Sequence, residues 1–150
     1  MKTATGFPPQ IFLLFIFAQC LNGAFWWFRG TAEHPEKRSG YAKLVAAWVL
    51  LGNIPWFILG AGVLEGRIIS MDDVFKPNHH NPFLQAFFVS IVVILLLVNF
   101  WIWVGNGSQT LIDYPGLANR PLTEPMPIKL YVLASTIFAF IGAAVMWFSN

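Results

Sequence analysis

The chain reads as an all-α integral membrane protein of four transmembrane helices, arranged as two tandem two-helix hairpins. Three observations carry that reading. Hydrophobic residues make up 57% of the chain and charged residues only 11%, about half the charge share of an ordinary soluble domain. The charges are also gathered. Apart from Lys2 they fall at 29–43, 65–76 and 113–129, which leaves 3–28, 44–64, 77–112 and 130–150 free of charge. Finally, the chain repeats itself, with FWWFRG at 25–30 and FWIWVG at 100–105. A hydrocarbon core of roughly 30 Å takes about 20 apolar residues of helix, and each charge-free stretch is long enough. Alternating ten-residue strands are absent, which excludes the barrel pattern. The expected spans are 7–28, 42–64, 82–104 and 128–148. They form one polytopic domain over 1–150, with hairpins at 7–64 and 82–148.

The first span is expected to stay as a helix rather than to act as a signal peptide. Its leading region has a single Lys2, Pro8 and Pro9 precede the apolar run, and that run continues through Trp26 and Phe28. NGAF makes a poor small-residue cleavage site. In FAQC, Gln19 stands where a lipoprotein box needs a small residue. Cys20 is the only cysteine, so no internal disulfide forms, and its expected role is that of a small packing residue. Phe15, Gln19, Asn22 and Trp26 share one helical face. The two amides are costly against lipid, so that face is expected to meet protein.

The second span contains LLGNIPWFILG at 50–60. Pro55 lacks an N–H and its ring opposes the carbonyl of Leu51, which predicts a kink. Asn53 lies beside it near mid-membrane. A broken helix with a polar side chain can coordinate an ion or a polar solute; the plainer role is one interhelical hydrogen bond. Gly62 and Gly66 have the spacing that permits close helix approach. The next loop, SMDDVFKPNHHNP at 70–82, holds Asp72, Asp73, His79 and His80. Carboxylate and imidazole together suit zinc or copper. Two adjacent histidines seldom hold an ion unaided, and PNHHNP also reads as a Pro-bounded turn into the third span. No metal is therefore expected, and these four residues are the ones that would hold it. Glu65 and Arg67 are expected to pair at the interface.

Asn99 is the amide of the third span. The loop after it, 105–129, carries Pro115, Pro121, Pro125 and Pro127, a density that favours extended or turn structure. Its length suits a docking role. NGS at 106–108 matches a glycosylation acceptor, but it falls on a face expected to be cytoplasmic. In the fourth span Ser135, Ala139 and Ala143 form a small-residue stripe. The first loop, 29–43, is expected to be a basic solvated connector with His34 at its surface.

The echo extends beyond the aromatic clusters. Each is followed by a polar loop, a Lys-Leu pair (Lys43-Leu44, Lys129-Leu130) and a span ending in GAGV at 60–63 or GAAV at 142–145. Units with an even number of crossings enter from the same side, so a duplication predicts a two-fold axis along the membrane normal. The polar positions do not repeat: Gln19 falls opposite Ile94, Asn22 opposite Leu97 and Asn99 opposite Ala24. A central site built symmetrically from both halves is therefore disfavoured.

Orientation follows from basic residues in short loops. Arg29, Lys37, Arg38, Lys43, Arg120 and Lys129 flank loops one and three, against Lys2, Arg67 and Lys76 opposite. Both termini are accordingly expected on the non-cytoplasmic side, in a bacterial inner membrane. In general make-up the chain resembles small multi-pass bacterial membrane proteins, and no motif in it marks a family. There is no phosphate loop, H-E-x-x-H or nucleophile elbow, and the interior of the spans, away from Lys43 and Lys129 at their ends, holds no charged residue for catalysis or proton coupling. The expected function is a non-catalytic subunit of a membrane protein complex. It has no cofactor and does not bind nucleic acid, and its partners are the bilayer, other integral subunits or further copies of itself. The alternative is a small oligomeric transporter or channel built around Asn53 and Pro55, with Gln19, Asn22 and Asn99 along a helix interface or solute path. Least favoured is an enzyme or metal binder using His79 and His80.

Overall fold

A computed structural model describes residues 11–70, 72–75, 80–117 and 123–148. The described residues form helices and turns, with no strand among them: α1 (Ile11–Glu33), a 3-10 turn (Pro35–Lys37), α2 (Arg38–Leu64), the short α3 (Asp72–Phe75), α4 (Pro82–Trp103), α5 (Gly107–Asp113) and α6 (Pro125–Phe148). Four of these, α1, α2, α4 and α6, are long and apolar enough to cross a membrane.

Two boundaries differ from the sequence expectation for one physical reason. The charge-free window marks the hydrocarbon slab, whereas a helix stops only where its backbone pattern is broken. Arg29 to Glu33 remain helical, and the expected 29–43 connector shrinks to a turn around His34 and the 3-10 helix. The hydroxyl of Thr31 donates to the Trp27 carbonyl at 2.7 Å within that extension. At α6, Pro125 and Pro127 occupy the first turn, where a missing N–H costs nothing because it has no helical acceptor. The prolines expected to keep this stretch extended instead open a helix. The long loop also contains α5, which packs against α4 and α6.

Gly66 is likewise reassigned. It lies beyond α2, at φ +69°. Its N–H donates to the Val63 carbonyl at 3.0 Å, and Arg67 N–H donates to Gly62 O at 2.8 Å. That pair of bonds is a Schellman stop, which favours glycine at the left-handed position. Only Gly62 packs, against Ile68 and Phe83. Pro55 is buried within a helix that continues through it. Asn81 caps α4, its Oδ1 accepting from Phe83 N–H at 3.0 Å and its Nδ2 donating to the Arg67 carbonyl at 2.7 Å. Among the described residues Glu65 and Arg67, both exposed, form no ion pair; water solvates each head without it.

The long helices form an open row in which α1 packs on α2, α2 on α4 and α4 on α6. Phe12, Leu59, Ile68, Val74, Leu84 and Phe87 gather where α1 begins, α2 ends and α4 begins. Burial elsewhere is sparse, as expected where lipid tails solvate leucine as well as protein does. The ends of the row, α1 and α6, share no interface comparable to that of α2 with α4. A two-fold axis would map one of those interfaces onto the other, so the duplication rests on the sequence echo alone.

Candidate functional site

The polar residues of the membrane interior divide between the two hairpins. In the first, α1 and α2 approach through glycine. A Cβ at Gly23 would fall on the Val49 side chain, and one at Gly52 would fall on the Gln19 amide. Gln19 thus lies across the bare backbone of Gly52. One residue on, Asn53 is 2% exposed and its Nδ2 donates to the Cys20 sulfur at 3.7 Å, a weak acceptor. Its Oδ1 has no hydrogen-bond partner. Asn22, on the same face of α1 as Gln19, is half-buried. Trp56 stacks on Phe15 at 4.5 Å between ring centroids, and Trp26 leans on Trp48 at 5.4 Å. Asn53, Cys20 and Gln19 therefore meet at one helix crossing, with Pro55 one half-turn further along α2.

In the second hairpin the amide is fully used on one side. Asn99 Nδ2 donates to Thr136 Oγ1 at 2.7 Å and to the Leu95 carbonyl at 2.8 Å. This bond joins α4 to α6. Thr136 is buried, and the sequence reading missed it because a hydroxyl can back-bond to its own helix and so gives no signal of an external partner.

The loop between the hairpins supplies no assembled metal cluster among its described residues. The Asp73 carboxylate accepts from Ile69 N–H at 2.7 Å and Ser70 N–H at 3.0 Å, so it serves the turn that leads into α3. His80 is exposed. His79 and the Asp72 side chain lie outside the described residues.

At the opposite end of the helices, where α1 ends and α2 begins, a clasp forms that the sequence reading did not foresee. Tyr41 is fully buried, its ring laid against the bare backbone of Gly30. Its hydroxyl donates to the Pro115 carbonyl at 2.6 Å, and Tyr114 meets it edge-on at 5.1 Å. Lys37 Nζ donates to the Asp113 carbonyl at 2.7 Å. The loop expected to dock on partners therefore docks in part on its own chain, through 113–116. Arg38 stands over Trp27 at 5.0 Å and Lys129 over Trp103 at 5.3 Å, cation–π pairs suited to headgroup depth. Trp27, Thr31 and Arg38 line a shallow cavity of about 310 Å³.

A second cavity, of about 330 Å³, lies at the other end of the helices, lined by α2, α4 and α6 with Phe12 of α1 and Val74 of α3. Its lining is almost wholly apolar, and Asn53 lines neither cavity. Among the described residues, the membrane interior thus offers amides, one thiol and hydroxyls, groups that donate and accept hydrogen bonds. Compared with known proteins, the chain matches no family model, no curated protein and no solved structure.

Proposed function

We propose that this protein is a non-catalytic integral membrane subunit that packs against partner helices in a membrane protein complex. The single observation that carries the reading is the open row. α1 and α6 close on no common interface, so each keeps a flank available to another chain. The polar side chains support it. Asn99 and Gln19 lie between helices, and Asn53 is buried and lines neither cavity. The basic-residue count in the loops supports an orientation with both termini non-cytoplasmic. Extraction in a mild detergent, followed by sizing and mass spectrometry, tests the reading. Stoichiometric integral membrane proteins, lost when the exposed Ala134 and Ser135 of α6 are changed to Phe, are expected. A lone monomer that needs no partner for stability or abundance overturns it.

The alternative, a small oligomeric transporter or channel, is favoured by the Asn53 Oδ1 that meets no donor. A buried acceptor without a partner is costly in lipid, and a transient polar solute would satisfy it. Solute flux in proteoliposomes containing this protein alone, abolished by Asn53→Leu with the helices intact, would replace the subunit reading with this one.

A further inference from the structure

We propose that the shallow cavity where α1 gives way to α2 binds the phosphate of an anionic phospholipid, whose acyl chain lies along the outer face of α1. The cavity, of about 310 Å³, is lined by Trp27, Phe28, Thr31, Ala32, Pro35 and Arg38. At roughly 30 Å³ for each water-sized group it takes about ten of them, the size of a phosphate with its glycerol. Arg38 is its one charged wall. The guanidinium carbon stands 5.0 Å from the Trp27 ring centre, so the ring positions the head. Among the described residues the Arg38 side chain makes no ion pair and no hydrogen bond, which leaves its fork of N–H donors for an oxyanion. The neighbouring cations are committed elsewhere. Arg29 pairs with Glu33 at 4.0 Å, and Lys37 donates to the Asp113 carbonyl. The other nearby carboxylate, Glu36, faces His34 at 3.6 Å.

The site continues into the bilayer. Phe28 lines the cavity and also ends a stripe of exposed side chains, Phe17, Leu21, Phe25 and Phe28, at the spacing of one helical face. From Phe17 to Phe28 the helix rises about 16 Å, one leaflet of a core of roughly 30 Å. The cavity sits at the headgroup end of that stripe, since residues 3–28 carry no charge and charges begin at Arg29. Charge and position select the occupant. A lone exposed guanidinium holds a free anion weakly, because water and salt screen it. A phospholipid phosphate is delivered to this depth at high local concentration and brings a chain for the stripe. Basic pockets between transmembrane helices take anionic headgroups for that reason. A zwitterionic headgroup offers the same phosphate but carries a cation of its own, which Arg38 repels. The inference goes beyond the subunit reading and holds with or without a partner protein elsewhere on the row.

The test reconstitutes the full chain with equal amounts of phosphatidylglycerol and phosphatidylcholine, extracts it in mild detergent and counts retained lipids by native mass spectrometry. The parent should retain phosphatidylglycerol several-fold over phosphatidylcholine. Arg38→Gln should abolish that preference, and Arg38→Lys should restore part of it. Ala32→Phe fills the cavity without touching a charge and should lower phosphatidylglycerol to the level of phosphatidylcholine. Lys129→Gln removes the cation over Trp103 and should change nothing. Circular dichroism identifies a variant that fails to fold, and whichever of Arg38→Gln and Ala32→Phe keeps the native spectrum decides. Equal retention of the two lipids by the parent overturns the proposal. So does an equal loss from Lys129→Gln and Arg38→Gln, which would make the preference a property of the whole basic belt. Displacement of the lipid by inorganic phosphate would assign the site to a free anion. A protein that co-purifies in place of lipid and is lost with Arg38→Gln would assign it to an acidic protein segment. Either result also overturns the proposal.

Discussion

In the first hairpin α1 and α2 meet backbone to side chain: Gly23 takes Val49, Gly52 takes Gln19 and Gly30 takes the ring of Tyr41. In the second hairpin the contacts between α4 and α6 include the hydrogen bond from Asn99 to Thr136, the edge-on pair of Phe88 with Trp147 at 5.3 Å and Lys129 over Trp103 at 5.3 Å. Phe87, Phe88 and Ile91 of α4 face Ala139, Gly142 and Ala143 of α6 across an apolar cavity. Two segments with nearly the same aromatic frame are thus held by different forces. Close glycine packing gains dispersion over a long interface and tolerates a poorly satisfied amide such as Asn53. A sparse interface cannot do that, so its amide must find a real partner. The lesson is that an apolar repeat specifies insertion into the membrane, while the few non-repeating residues specify how each pair is held.

The sharpest way to break this comparison is at its loop end. The Lys-Leu alignment sets Tyr41 opposite Pro127. Tyr41→Ala removes a fully buried ring and its bond to Pro115 and should cost about 3–5 kcal/mol. Pro127→Ala, at an exposed first-turn position, should stay within about 0.5 kcal/mol. Unfolding of both variants in mixed micelles, followed by tryptophan fluorescence, measures the gap. Equal losses would mean the clasp adds nothing beyond what its counterpart does.

A smaller effect separates the two helix interfaces directly. Gly23→Leu forces α1 off Val49 and Val45, an overpacking cost of about 1–3 kcal/mol. The same change at Gly142 enters open space and should fall within about 0.5 kcal/mol of the parent. If Gly142→Leu proves the more damaging of the two, α6 is packed against something in the measured state and the contrast between hairpins is lost.

The smallest effects concern the amides. Asn99→Leu removes the bond to Thr136 and should cost about 0.6–2 kcal/mol. Asn53→Leu deletes a weak bond to sulfur together with an acceptor that has no donor. Replacing a poorly satisfied buried polar group with an apolar one of similar size is near neutral or stabilising. A double-variant comparison of the two, by the same micelle titration, is expected to show loss only at Asn99. A loss at Asn53 as large as at Asn99 would show that its Oδ1 acquires a partner in the membrane, and would strengthen the transporter reading.

Four spans, their approximate limits and the helical class were legible in the chain because they depend on composition over windows of about 20 residues, and the bilayer imposes that length on any sequence. The positions that matter for the site were legible only in part. Asn53, Gln19 and Asn99 stood out because an amide in lipid is costly wherever it points. Thr136, Tyr41 and Gly30 gave no such signal, since a hydroxyl can satisfy itself locally, a tyrosine is at home at an interface, and a glycine reveals its use only when a ring lies on it. Helix ends were misjudged at 29–43 and 125–127 because charge tells where lipid stops, while hydrogen bonding tells where a helix does. By itself, then, the sequence determined the solvent, the number of crossings and the cost of each buried polar group. Which helix lies beside which, whether a small-residue stripe is filled or faces a cavity, and which amide finds a partner were decided only by the tertiary structure. Those outcomes depend on distances between residues tens of positions apart, and no local pattern encodes such distances.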